Sequence, residues 1–186
     1  MLKLVLLLAA AQISEERRLF LDWGGLTRYG SDNTELKKAP EVVFFGDDLT
    51  EKWAPFFPGK PYLNRGVEHQ VAGQMLVRFR QDVISLKPKI VVIQTGANDI
   101  ASLLGPSPEP VMADHVMSMV ELAQAHGIKV VLASVTPVCD CTGLPQTKRR
   151  TFGRLSSWNG WLKEYAAKTG AVYMDLWTPL VEGRFL

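Results

Sequence analysis

Cysteine, histidine and unbalanced charge are all scarce in this chain: two Cys, three His and a formal net charge of +2 in 186 residues. So small a charge gives no footing for nucleic acid or an anionic membrane surface as partner. Cys139 and Cys141 stand as Cys-x-Cys in one loop, without a His or third Cys nearby, so a zinc set is not expected. A pair this close closes only a strained disulfide. Free thiols are therefore expected, with pairing to another molecule left open. No internal repeat, low-complexity tract or linker divides the chain. With 47% apolar residues it is long enough for one substantial core.

Long apolar runs are missing too. Leu4 to Ala11, after Met1-Leu2-Lys3, is much too short to span a bilayer. It has the outline of a small secretory signal over residues 1–11, ending in Ala9-Ala10-Ala11, yet it falls below the usual 15 residues. Export to a secreted or periplasmic location and a cytoplasmic one both stay open. Residues 12–39 read as an N-terminal helical region, Glu15 to Leu36, broken near Gly24-Gly25 and Gly30.

What is present is a regular alternation of strand-like and helix-like segments over residues 40–186. Strands are expected at Glu41 to Phe45, Pro61 to Asn64, Ile90 to Ile93, Ile128 to Val135 and Val172 to Met174. Helices are expected at Leu49 to Phe56, Ala72 to Leu86, Val111 to His126 and Leu155 to Lys168. Met75, Leu76, Phe79, Val83 and Leu86 recur at helical spacing. Ile90-Val91-Val92-Ile93 is apolar on both faces, as a central parallel strand should be. Gly127 and Gly170 sit where helices close. Five such strands argue for an α/β fold with a parallel sheet, helices on both faces and right-handed crossovers.

In such sheets chemistry lies beyond the carboxyl ends of the strands. Three loops there carry unusual residues: Asp47-Asp48, Asn64-Arg65-Gly66-Val67-Glu68-His69 and Gly96-Ala97-Asn98-Asp99. Asp48 and His69 could meet, with Asp48 orienting His69 as a base toward water. A metal on Asp48, Glu68 and His69 is disfavoured, since two adjacent residues rarely point the same way. Asp47 and Asp99 are expected to brace their turns through backbone N–H groups. His115 and His126 are expected at the surface, and Lys148-Arg149-Arg150 in a solvated loop. Trp158 and Trp161, three apart on one helical face, fit a core better than a sugar platform, while Trp53 is a candidate pocket wall.

The order of these blocks, Phe44-Phe45-Gly46-Asp47-x-Leu49-Thr50, then Asn64-x-Gly66, then Gly96-x-Asn98-Asp99, resembles the SGNH, or GDSL-type, ester hydrolases over roughly residues 40–177. The resemblance implies a flavodoxin-like three-layer α/β/α sandwich, here expected to lack its final helix. It also implies hydrolysis of small acyl esters, of acetyl type, on carbohydrates or lipids, with no cofactor and no metal. Carried over residue by residue, the family's nucleophilic Ser falls on Asp48, its oxyanion-hole Gly on His69 and its oxyanion-hole Asn on Asn98. Asp175 belongs to the end of the fifth strand, and no Asp-x-x-His block follows before Leu186. A carboxylate has no proton to give a base and is a poorer nucleophile than an activated Ser. The expectation is impaired or lost catalysis. The alternatives are a non-catalytic module that binds an acyl or sugar ligand, and a truncated product without function of its own.

Overall fold

The computed structural model describes residues 20–53, 58–141 and 143–181. The short signal expected at 1–11 lies outside them. The elements are α1 (Gly30–Glu35), β1 (Val42–Gly46), α2 (Asp48–Lys52), β2 (Tyr62–Gly66), α3 (Ala72–Asp82) and β3 (Ile90–Gln94). There follow α4 (Ala97–Ile100), α5 (Glu109–Ala125), β4 (Lys129–Ala133), α6 (Gln146–Arg149), α7 (Phe152–Thr169), β5 (Val172–Met174) and α8 (Thr178–Val181). All five strands pair in parallel in the order β2-β1-β3-β4-β5. Helices flank both sides, as the SGNH resemblance implies. The five-stranded parallel expectation holds. The final-helix expectation concerns sequence at the end of the described residues, where α8 is the last element.

Strand register explains why one face is driest. Val43, Val91 and Val130 align across three strands, as do Phe45, Ile93 and Leu132, and all six are buried. Side chains two apart share a face, so these rows make one apolar floor. Phe45 meets Phe79 of α3 edge-on, with ring centroids 5.2 Å apart. Behind α3 lies α5, whose Met112, Val116, Met119 and Val120 are buried.

The N-terminal region differs from expectation. Residues 22–29 are mostly turns, lying between helical residues at Phe20 and Leu21 and the short α1. Gly25 has a positive φ of 68°, and the Asp22 carboxylate accepts the Leu26 and Thr27 N–H groups at 2.8 Å each. Local side-chain bonds of this kind compete with helix formation.

Arg78 of α3 is fully buried and joins these parts. Its guanidinium lies 4.2 Å over the Phe45 ring. It donates to the carbonyls of Gly46 (3.0 Å) and Arg65 (2.8 Å), where β1 and β2 end. It also donates to Gln70 Oε1 (2.6 Å) and to the buried Asp82 carboxylate (3.1 Å). Asp82 accepts in turn from Asn33 of the N-terminal region at 2.7 Å. Removing one partner of a buried ion pair leaves the other uncompensated, at a cost of about 3–5 kcal/mol. Arg78→Met is expected to lower unfolding free energy by about that much in urea titrations. A loss well under 1 kcal/mol would show that the pair contributes no more than a surface salt bridge.

Candidate functional site

Strand order reverses between β1 and β3, and the loops beyond their carboxyl ends converge. Asp47 and Asp48 follow β1, Glu68 and His69 follow β2, and Asn98 lies on α4 after β3. Each loop is held by buried contacts. The Val67 N–H donates to Gly46 O at 3.0 Å, binding the β2 loop to the end of β1. Gly66 packs so closely on the backbone of Glu51 that a Cβ there would collide with it. After β3, Gly96 takes a φ of 116° against the indole of Trp158, whose Nε1 donates to Thr95 O at 2.9 Å. Trp158 is fully buried and stacks on Trp161 at 4.8 Å, so the core reading of that helical face holds.

The three residues singled out from sequence come together. Asp48 Oδ2 accepts the His69 N–H at 2.9 Å and Asn98 Nδ2 at 2.7 Å. Burial pushes the Asp48 carboxyl up, but the donors of Asn98, His69 and its own N–H, with the His69 ring nearby, outweigh it and hold it below the usual carboxylate range. The His69 ring itself is not hydrogen-bonded to Asp48: Nε2 lies 3.8 Å from Oδ1. Backbone, not imidazole, links the two residues. His69 has a φ of 66°, a left-handed conformation that a non-glycine side chain adopts at a cost.

Further residues, none of them placed at the site by the sequence, complete it. Arg150 Nη2 donates to Asn98 Oδ1 at 2.7 Å and its Nε to Ala97 O at 3.1 Å, while a third bond reaches Gln146. Arginine can only donate, so this contact turns the Asn98 amide nitrogen toward Asp48. Glu51 Oε2 accepts the Glu68 N–H at 2.6 Å while Oε1 pairs with Arg28 at 2.7 Å. Gln70 O accepts a second bond from Asn98 Nδ2 at 3.0 Å. One signal for Arg150 was available: its loop follows β4, at the same carboxyl edge as the other three.

Other expectations are corrected. Arg149 and Arg150 line the cleft, so the basic cluster is not simply a solvated loop. His115 is half-buried against Gly73, because α5 packs on α3, and its buried Nδ1 has no hydrogen-bond partner among the described residues. His126 is exposed, as expected. Trp53 packs edge-on against Phe44 at 5.9 Å instead of walling the cleft. Cys139 and Cys141 are disulfide-bonded, not free, because the loop brings their Cα atoms to 5.3 Å, within bridging range. Asp48, Glu68 and His69 do converge, each offering a ligand atom within 4.8 Å of the others.

Asp99 accepts the Ala72 N–H at 3.0 Å and the Ser107 hydroxyl at 3.1 Å, and also its own N–H, so it braces the start of α3 as well as its own turn. Burial raises its carboxyl, opposed by those donors. Asp47 makes no side-chain capping bond to α2, and its buried Oδ2 has no partner among the described residues. Burial first, then the charges of Asp48 and Asp99, push it up to about 8 against the pull of the Leu49 N–H and Arg150. Adjacent acids are thus driven apart: the surroundings of Asp48 favour its charged form and those of Asp47 its neutral one.

Above them lies a cleft of about 550 Å³, with Leu49, Leu103, Val138 and Leu144 among its apolar walls. A family model described as the GDSL-like Lipase/Acylhydrolase family matches residues 30–185. The crystal structure of a putative acylhydrolase from Bacteroides fragilis is 36% identical, with a TM-score of 0.78, over 88% of this chain and 82% of that one. A GDSL-like lipase from Bacteroides thetaiotaomicron is 33% identical, with a TM-score of 0.79, over 87% and 82%. A Drosophila melanogaster homolog of the platelet-activating factor acetylhydrolase IB subunit beta is 29% identical over 117 residues, 59% of this chain. The alignments span only 35% and 50% of the two curated relatives matched.

The Asp47 pKa gives a pH prediction. A carboxyl raised on folding contributes stability that is complete below its unfolded value, near 3.8, and lost as pH rises through about 8. Asp47→Asn should therefore gain stability relative to the unsubstituted chain across that window and keep a constant advantage above it. Parallel urea curves at several pH values measure this. A difference that does not change with pH would mean that folding leaves the Asp47 pKa unshifted.

Proposed function

The chain belongs to the GDSL-like lipase/acylhydrolase family, and from that membership we propose that its cleft admits small acyl esters without the family's serine reaction and without binding the acids they release. One observation carries this reading. Asp48, in the place of the nucleophile, sets its own carboxylate among the donors that would polarise a substrate carbonyl: its own N–H, the His69 N–H and Asn98 Nδ2. A serine mechanism needs a hydroxyl that loses a proton, and an oxyanion site left open for charge that develops later. Here the charge is permanent and already in place.

The competition is unequal. A carboxylate accepts stronger hydrogen bonds than a neutral ester carbonyl. It is also tethered, so it loses no translational freedom on occupying the donors. Each oxyanion donor denied to the substrate removes on the order of 10²–10³ in rate. The His69 ring, with Nε2 3.8 Å from Asp48 Oδ1, makes no hydrogen bond to it of the kind an Asp–His base pair uses. What remains is the cleft: apolar walls suited to a short acyl chain, with Arg149 and Arg150 on its rim. Acetyl-type esters of carbohydrates or lipids are the substrate class that family membership favours.

Emptying the donor set tests the reading. Asp48→Ala should acquire acetate binding, seen as a saturable rise in melting temperature with sodium acetate over a matched chloride control. The unsubstituted chain should show none, and should leave 4-nitrophenyl acetate at its background rate. An acyl-enzyme burst from the unsubstituted chain, or no acetate effect in Asp48→Ala, would contradict the proposal.

A further inference from the structure

We infer that Asp48, Glu68 and His69 form a binding site for a divalent transition-metal cation, with Zn²⁺ the best-matched probe. His69 Nε2 lies 3.8 Å from Asp48 Oδ1 and 3.6 Å from Glu68 Oε1, and all three ligand atoms fall within 4.8 Å of one another. Around a tetrahedral zinc with bonds of about 2.0–2.1 Å, ligand atoms stand about 3.3 Å apart. Two edges of the triangle therefore need to shorten by only a few tenths of an ångström. The third closes by rotation of Glu68, whose side chain is 52% exposed.

The ligands are carried on a fixed loop. Glu68 and His69 are each tied by backbone N–H to an acid of α2, at 2.6 Å to Glu51 and 2.9 Å to Asp48. The left-handed turn at His69 folds the chain so that these neighbouring side chains face the same carboxylate. Asp48 divides its oxygens: Oδ2 takes the donors, and Oδ1 is on the His69 side.

Charge and ligand type narrow the ion. Two carboxylates opposite one imidazole favour a doubly charged cation, and nitrogen in the set selects Zn²⁺ and its neighbours over Mg²⁺ or Ca²⁺, which take six or more oxygens. All three side chains are part-exposed, leaving coordination positions for water or for an oxygen of a molecule in the cleft.

The inference stands apart from the acyl-binding proposal, and its test reads a different signal. Titrating the full chain, without an affinity tag, with Zn²⁺ should give one-to-one binding by calorimetry and a saturating rise in melting temperature. Mg²⁺ at the same concentration should give neither. Glu68→Gln and His69→Gln should each weaken Zn²⁺ binding by at least about tenfold while leaving the metal-free melting temperature in place. Co²⁺ should bring visible d–d absorption that both substitutions remove. The absence of stoichiometric Zn²⁺ binding would overturn the site, and so would binding that neither substitution weakens. Since Glu68→Gln leaves Asp48 and Asn98 untouched, its result is independent of the acetate result.

Discussion

A guanidinium with no access to water must find acceptors for its donors, and the way Arg78 does so fixes the geometry of everything above the sheet. Its partners are the carbonyls of Gly46 and Arg65 near the ends of β1 and β2, the side chain of Gln70 and the Asp82 carboxylate. None of these could shift far without stranding a buried charge, which costs several kcal/mol. The ring of Phe45 beneath adds a cation–π contact. From Gln70 the network runs outward to Gly24 O, and from Asp82 through Asn33 to Arg65, so the irregular N-terminal segment is docked by the same charge. Asp48 stands two residues after the Gly46 anchor and His69 immediately before Gln70. Their mutual position is inherited from the core.

Above that framework three carboxyl groups crowd the carboxyl edge of β1 and β3, in surroundings that push their protonation equilibria in opposite directions. Asp48 receives the hydrogen bonds and stays ionised, whereas Asp47, buried beside it without equivalent donors, is pushed toward its neutral form. Asp99 is buried too, but N–H and hydroxyl donors from α3 and Ser107 offset part of the burial. Pairs of acids driven apart in this way are a common sign of a working site. Here the ionised member sits at the turn where its family places a hydroxyl.

The sheet was legible because its signal is local. Runs such as Ile90–Ile93 bury both faces, and the alternation with helices leaves few topologies open. Asp48, His69 and Asn98 were legible because motif order names the loops and the sheet rule brings them to one edge. Arg150 is expected in a solvated loop because its role depends on the chain after β4 folding back over α4, and no local pattern encodes that return. The convergence of Glu68 with His69 was misjudged for a related reason. Adjacent side chains diverge in an extended chain, but the left-handed backbone of His69 removes that assumption. The break expected near Gly24-Gly25 widens to turns over residues 22–29, because periodicity cannot see Asp22 capturing the N–H groups that a helix would use. The Cys139–Cys141 bridge depended on a loop closure that spacing alone does not set.

Exchanging a hydroxyl for an acid at one position changes what the site can attract. A serine site holds its donors vacant and presents positive potential, so it is complementary to an oxygen that becomes negative only during reaction. With Asp48 the donors are saturated before any ligand arrives, and the remaining potential on the His69 side comes from two carboxylate oxygens, Oδ1 of Asp48 and Oε1 of Glu68. A carbonyl oxygen approaching from that side meets like charge. A cation meets two partners and an imidazole nitrogen at nearly coordinating distance. The same substitution that closes the acyl route therefore opens an electrostatic one of opposite sign. Both consequences follow from a single carboxylate whose two oxygens face different neighbours.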